Sequence, residues 1–288
     1  MRWTERRERF RALFAGDRCV HPGSVFDPLS ARIAEEVGFE AGMFAGSVAS
    51  LTVLGAPDLI VLTLSEFAEQ AYRIGRASDL PIMVDADHGY GNALNVTRTV
   101  EELEAAGVAG LSIEDTVLPQ PFGGLGQTQL ISVEEGAGKM RAALAGRRDP
   151  KLMIAGRTSA VSVTGLDDAI ERIAAYEAAG VDAIFLIGVK TKEQLSAVRD
   201  AVKLPLILGG AGPEITDLDY LSSMGVRLCL QSHAPFMAAV QATYDTLKAL
   251  RDGTPPKELT GVAPPELMKR LTRAGDVQAK MQDYLGGD

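Results

Sequence analysis

Cysteine is scarce in this chain: Cys19 and Cys229 are the two among 288 residues. So sparse a set excludes a disulfide framework, and both read as buried free thiols of a reducing compartment. Long apolar runs are missing too. None approaches the roughly 20 residues needed to cross a bilayer. Residues 1–16 are charged and helical in pattern, unlike a secretory signal, so a cytoplasmic protein is expected. Positive charge is in deficit, with 29 Lys and Arg against 38 Asp and Glu, a formal net charge of −9. That balance speaks against nucleic acid and against an anionic membrane surface as partners. A G-x-G-x-x-G turn is also absent, which weighs against a doubly wound nucleotide-binding sheet.

What the chain does have is a 46% hydrophobic content and a repeating order of elements. Short apolar strands alternate with helices eight times, and the strands are of the fully buried, parallel type. Val37-Gly38-Phe39, Ala106-Gly107-Val108, Ala179-Gly180-Val181 and Met224-Gly225-Val226 each place a glycine helix stop directly before a strand. Helix starts are marked at Asp27-Pro28, and by Thr63 with Glu66, Ser132 with Glu135 and Thr191 with Gln194. The count predicts an α/β fold, a (β/α)8 TIM-type barrel, as one domain over residues 1–288. Residues 254–288 read as a C-terminal helical extension. It either packs across the barrel end or reaches a neighbouring subunit.

One stretch carries the chemistry. Residues 81–92 run from an apolar strand into Asp85-Ala86-Asp87-His88-Gly89. Strand side chains alternate, so Asp85 and Asp87 are expected on one face, where two unneutralised carboxylates repel. A hard divalent cation removes that repulsion. In a barrel of this kind the working groups lie at the C-terminal strand ends. The polar residues predicted there are Ser47, Asp85, Asp87, Glu114, Asp115, Arg157, Thr158, Ser159, Gln231, Ser232 and His233. Three carboxylates, few histidines and no useful cysteine favour Mg²⁺, with Mn²⁺ as the alternative, over Zn²⁺. Asp85 is the expected direct ligand, with Asp87 and Glu114 acting through waters. Arg157 is suited to grip a substrate carboxylate with its two-pronged guanidinium. The backbone amides of Ser47 and Val48 offer a further anion contact. The set suits a small α-keto acid that chelates the metal. His88 reads as an outer partner of this site and His21 as structural. Lys190 raises a Schiff-base aldolase as a rival.

The sequence resembles the isocitrate lyase/phosphoenolpyruvate mutase superfamily over nearly its whole length. The resemblance is carried by residues 24–32 (SVFDPLSAR), 46–50 (GSVAS), 56–58 (APD), 85–92 (DADHGYGN), 112–115 (SIED) and 156–158 (GRT). Residues 46–50 and 232–234 look most like the oxaloacetate-decarboxylating bacterial members. The resemblance implies Mg²⁺ on Asp85, substrate on Ser47 and Arg157, and His233 at the keto or enolate oxygen. Asp58 is the counterpart of a residue with a mechanistic role in the mutases. A homotetramer, a dimer of dimers with terminal helices swapped between subunits, is implied as well.

The connection after strand four chooses among members. Lyases of the superfamily carry a Lys-Lys/Arg-Cys-Gly-His motif there, whose cysteine is the acid/base group. Residues 116–128 (TVLPQPFGGLGQT) hold no cysteine or histidine, and no Lys, Arg or His occurs from Thr99 to Gly138. Residue 159 is serine where relatives commonly have asparagine or aspartate. Phosphoryl transfer needs cations around the migrating group, whereas decarboxylation of an α-keto dicarboxylate does not. The expected reaction is therefore Mg²⁺-dependent decarboxylation of oxaloacetate to pyruvate and CO2 through an enolate. The alternatives are a carbon–carbon lyase on a substituted malate or methylisocitrate-like acid, a phosphonopyruvate-type mutase, and a non-catalytic dicarboxylate binder.

Overall fold

The computed structural model describes residues 2–124 and 126–286; of the connection after strand four, Leu125 lies outside the described residues. Helix α1 (Arg2–Ala15) leads into β1 (Gly23–Ser24), α2 (Pro28–Glu36), β2 (Gly42–Phe44) and a short α3 (Gly46–Ala49) continued by a π turn over Ser50–Leu54. Then come α4 (Leu64–Ala77), β3 (Ile82–Asp85), α5 (Ala93–Ala105), β4 (Gly110–Glu114), α6 (Val133–Gly146) and β5 (Met153–Thr158). The second half holds α7 (Ala160–Val163), α8 (Leu166–Ala179), β6 (Ala183–Leu186), α9 (Lys192–Ala201), β7 (Leu206–Leu208), α10 (Leu218–Ser223) and β8 (Val226–Cys229). Helices α11 (Ala234–Arg251), α12 (Pro265–Leu271) and α13 (Ala274–Leu285) end it.

The eight strands are parallel and follow one another in sequence order, as the alternation predicts for a TIM-type sheet. A parallel bridge joins Val20 to Leu228, so β8 meets the segment that enters β1. Cys19 and Cys229 flank that seam as buried free thiols, and burial pushes them up to about 12 and about 11. Alternation splits the core into two layers. Val84, Leu111, Ile113, Ile154, Ile184 and Leu208 face the helices. Met43, Met83, Met153, Phe185, Ile207 and Leu228 face inward, joined by Phe10 and Phe14 of α1. Helix α1 thus fills the interior at one end. Arg7 anchors it on the Val108 carbonyl (3.0 Å) and Asp149 (2.8 Å), and Arg11 on Asp182 (2.9 Å).

The local start signals are realised. Asp27, Thr63 and Thr191 each form a reciprocal capping box, and the Ser132 side chain accepts from the Glu135 amide. Three local readings need correction. The strand drawn through Asp87 ends at Asp85, because Asp87 turns into the left-handed region at φ 48°. A continuous connection over residues 51–62 and one final helix over residues 265–285 are the other two readings of the sequence; the first starts as the π turn, and the second is two helices, broken where Arg273 adopts φ 54°.

Candidate active site

A cavity of about 220 Å³ opens at the C-terminal strand ends. Ser47, Asp58, Asp85, Asp87, Glu114, Arg157 and His233 line it, so six predicted rim residues and Asp58 converge. Asp85 comes from the end of β3, and its Oδ1 accepts from the Ser112 hydroxyl on β4 (3.0 Å). Glu114 and Arg157 are register partners on β4 and β5. The Asp87 carboxylate arrives by the left-handed turn rather than by strand alternation. It lies against Gly46, where a Cβ would sit 2.5 Å from Asp87 Oδ2, so residue 46 has no room for a side chain. His233 precedes α11, and its Nδ1 shares a 2.9 Å hydrogen bond with the Ser24 hydroxyl.

Four carboxyl groups here face one guanidinium. Arg157 binds Asp85 through Nη1, and its Nε lies 3.1 Å from Glu114 Oε2, at ion-pair distance but off the line of a hydrogen bond. Burial pushes Glu114 up to about 7; Thr116 opposes the shift by hydrogen bonding, and Asp115 and Asp58 add repulsion. Burial also holds Asp87 well above the usual carboxylate range, with Glu114 and Asp58 adding to it. Asp58 is raised by burial, against the pull of Arg157. Desolvation lowers Arg157 to about 10, which leaves it charged at neutral pH, and burial lowers His233.

Among the described residues no three His, Cys, Asp or Glu are gathered tightly enough to hold a metal ion. The Arg157 guanidinium lies between Asp85 and Glu114. The donor set nonetheless fits a hard cation. It is all oxygen and buried, and burial with mutual carboxylate repulsion raises Asp87 and Glu114, a cost that a hard cation bound among them would relieve.

Several predicted rim residues lie elsewhere. Asp115 is fully buried on the opposite face of β4, with Arg172 at 3.1 Å and the Tyr176 hydroxyl at 2.7 Å. Thr158 is buried and accepts from the Ala160 amide. Gln231 and Ser232 are exposed, and Ser159 does not line the cavity. Val48, expected to act through its backbone amide, stands in the first turn of α3 with its side chain buried. His88 is buried away from the cavity; its carbonyl accepts from Lys139 Nζ at 2.8 Å, and burial lowers its ring to about 4. His21 contacts the Cys229 carbonyl, and Lys190 is exposed and outside the cavity. Sequence reading missed Ser24 and the apolar lining, Met43, Ile60, Leu118, Phe185, Ile187 and Leu230. Phe185 is placed beside Arg157 by the register of β5 with β6, which no local sequence signal gives.

A barrel-type α/β protein with an acidic, arginine-bearing site at its strand ends has well-defined relatives. The profile of the family described as phosphoenolpyruvate phosphomutase matches residues 10–251, and the chain belongs to that family, within the isocitrate lyase/phosphoenolpyruvate mutase superfamily. It is 59% identical to an oxaloacetate decarboxylase of Rhodopseudomonas palustris (strain BisB18) over 99% of both chains. It is 58% identical to one of Bradyrhizobium diazoefficiens, again over 99% of both. Among solved structures, oxaloacetate acetylhydrolase in complex with 3,3-difluorooxalacetate superposes with a TM-score of 0.86 at 30% identity, covering 99% of this chain and 98% of that one. Phosphonopyruvate hydrolase in complex with oxalate and Mg²⁺ gives 0.86 at 28% identity, covering 97% of this chain and 99% of that one.

Proposed function

We propose that the protein is a lyase that decarboxylates oxaloacetate to pyruvate and CO2 with a divalent cation, Mg²⁺ or Mn²⁺. The observation that carries this is the cavity in which Asp58, Asp85, Asp87 and Glu114 face the Arg157 guanidinium. The full-length likeness to relatives named oxaloacetate decarboxylase supports the same reading.

Asp85, Asp87 and Glu114 would hold the cation, with Asp85 direct and the other two through waters. When bound, it supplies Lewis-acid polarisation of the substrate's keto group. Arg157 grips the C1 carboxylate, assisted by the amides of Ser47 and Val48 at the start of α3. His233 serves the C2 oxygen. The burial that lowers it keeps the ring neutral. In the tautomer in which Nδ1 accepts from the Ser24 hydroxyl, 2.9 Å away, the ring proton is on Nε2, where it can donate to the oxyanion as charge develops. Asp58 is assigned to orient water near C3. Loss of CO2 needs no base, so the absence of Cys and His from residues 116–128 is no handicap.

Residues 1–288 are read as one barrel unit with a helical extension over 254–288, in a cytoplasmic protein. No helix of the described residues is long and apolar enough to cross a membrane. The extension supports assembly. Helix α12 docks on α2 through Arg270–Glu36 and Arg273–Glu35, whereas α11 buries none of its residues. Met237, Val240, Tyr244 and Leu247 form an exposed apolar stripe on α11, as Val277, Met281 and Tyr284 do on α13. Such stripes are expected to be covered by another copy in a homotetramer with exchanged helices. A Mg²⁺-supplemented screen of oxaloacetate, methylated malates, methylisocitrate and phosphonopyruvate tests the assignment. Turnover of oxaloacetate above the others is expected; preference for any other substrate overturns it.

A further inference from the structure

The cavity has two unlike walls. Parallel register places Glu114 beside Arg157, Arg157 beside Phe185, Phe185 beside Ile207 and Ile207 beside Leu228. Register partners share a face of the sheet, so one continuous inward layer changes from charged on β4 and β5 to apolar on β6, β7 and β8. The border lies where the Arg157 guanidinium sits 5.3 Å from the Phe185 ring centre. Two residues further along, Ile187 and Leu230 extend the apolar wall around the cavity. Gly209 belongs to it too: a Cβ there would lie 2.1 Å from Ile187 Cδ1, so Ile187 occupies the space over the end of β7. Among the described residues that line the cavity, Arg157 is the one guanidinium or ammonium, and it lies on the other wall, paired with Asp85 and Glu114 and assigned to the C1 carboxylate. The connection after β4 contributes Leu118 and no cation.

We infer that Phe185, Ile187 and Leu230 form the subsite of the departing carboxylate, and that this wall promotes its loss by withholding the ion pair and the water a carboxylate needs. The inference rests on the decarboxylase reading above. When the C3–C4 bond breaks, its electron pair becomes the C2–C3 double bond of the enolate. The negative charge passes from the C4 carboxylate to the C2 oxygen, C4 leaves as neutral CO2, and C3 later takes a proton from water. An apolar wall disfavours the charged ground state and tolerates CO2, while the charged wall faces the oxygen that gains the charge. The same wall predicts a ligand class: α-keto acids with a branched alkyl tail in place of the far carboxylate bind without reacting.

Calorimetry on the wild-type protein with Mg²⁺ tests this with two probes. 4-Methyl-2-oxopentanoate, which carries an isopropyl group where oxaloacetate carries its far carboxylate, should bind about tenfold or more tighter than pyruvate. In Leu230→Asn that gain should vanish, L-malate should bind about threefold tighter, and kcat for oxaloacetate should fall about tenfold. Oxalate, too short to reach the apolar wall, should bind the variant as it binds wild type. Equal binding of the two keto acids by wild type overturns the inference, as does an unchanged kcat in Leu230→Asn with oxalate binding intact. If Leu230→Asn loses oxalate binding, Ile187→Thr is read by the same criteria, and the wild-type comparison still decides. Tight binding of the branched acid without CO2 release from oxaloacetate would keep the apolar subsite and overturn the decarboxylase reading instead.

Discussion

At the scale of single residues, charge balance governs the site. Arg157 is the cation among four carboxyl groups, and its planar fork is what a lysine lacks. Arg157→Lys should therefore raise KM for oxaloacetate by about tenfold or more, as lost bidentate binding does, measured by steady-state kinetics at saturating Mg²⁺. His233→Phe should lower kcat by about 10²-fold with little change in KM, the mark of an oxyanion donor. His88 gives a pH dependence of stability. Its folded value of about 4 lies below the ordinary 6.5, so between these values the unfolded chain binds the extra proton. Stability is then complete above pH 6.5 and falls as pH drops toward 4, by up to about 3 kcal/mol from this group. Thermal melts of wild type and His88→Gln from pH 7 to pH 4 should converge as the pH falls; parallel curves would remove His88 from the account. The residue chemistry was legible because carboxylates and arginine at strand ends have few other uses. The apolar wall was not, because Phe185 and Ile187 look like ordinary core residues until the register places them beside Arg157.

At the scale of elements, local signals were readable and tertiary ones were not. Capping boxes depend on residues three apart, so Thr63 with Glu66 and Thr191 with Gln194 could be read directly. The left-handed turn at Asp87 is fixed by its packing on Gly46 from another strand end, which no local pattern encodes. Asp115 was legible in principle: with Glu114 facing in, alternation sends its neighbour out to Arg172. Helix α1 shows how much one element contributes. Phe10 is 1% exposed within the inner layer, 5.1 Å from the Phe14 ring. Phe10→Ala should cost about 3–5 kcal/mol in urea unfolding, against about 1 kcal/mol for Thr63→Ala at the α4 cap.

At the scale of the whole molecule, the eight-fold strand order was legible from sequence because each glycine stop and buried strand repeats. The stance of α11 was not, since a stripe of Met237, Val240, Tyr244 and Leu247 reads equally well as barrel-facing. In the structure it is exposed, and α11 buries none of its residues. On the proposal that α11 is covered by another copy, Leu247→Asp should lower the mass by light scattering while leaving the fold intact by circular dichroism; an unchanged mass would refute the role given to α11.

The central claim is that the acidic strand ends and Arg157 make a metal-assisted decarboxylase. Its most direct test is the rate of pyruvate and CO2 release from oxaloacetate by purified protein with Mg²⁺, set against free Mg²⁺ and against Asp85→Ala. Turnover far above the free-metal rate is expected, abolished by chelation and reduced at least about 10³-fold in Asp85→Ala. A rate equal to that of free Mg²⁺, or full activity in Asp85→Ala, would contradict it.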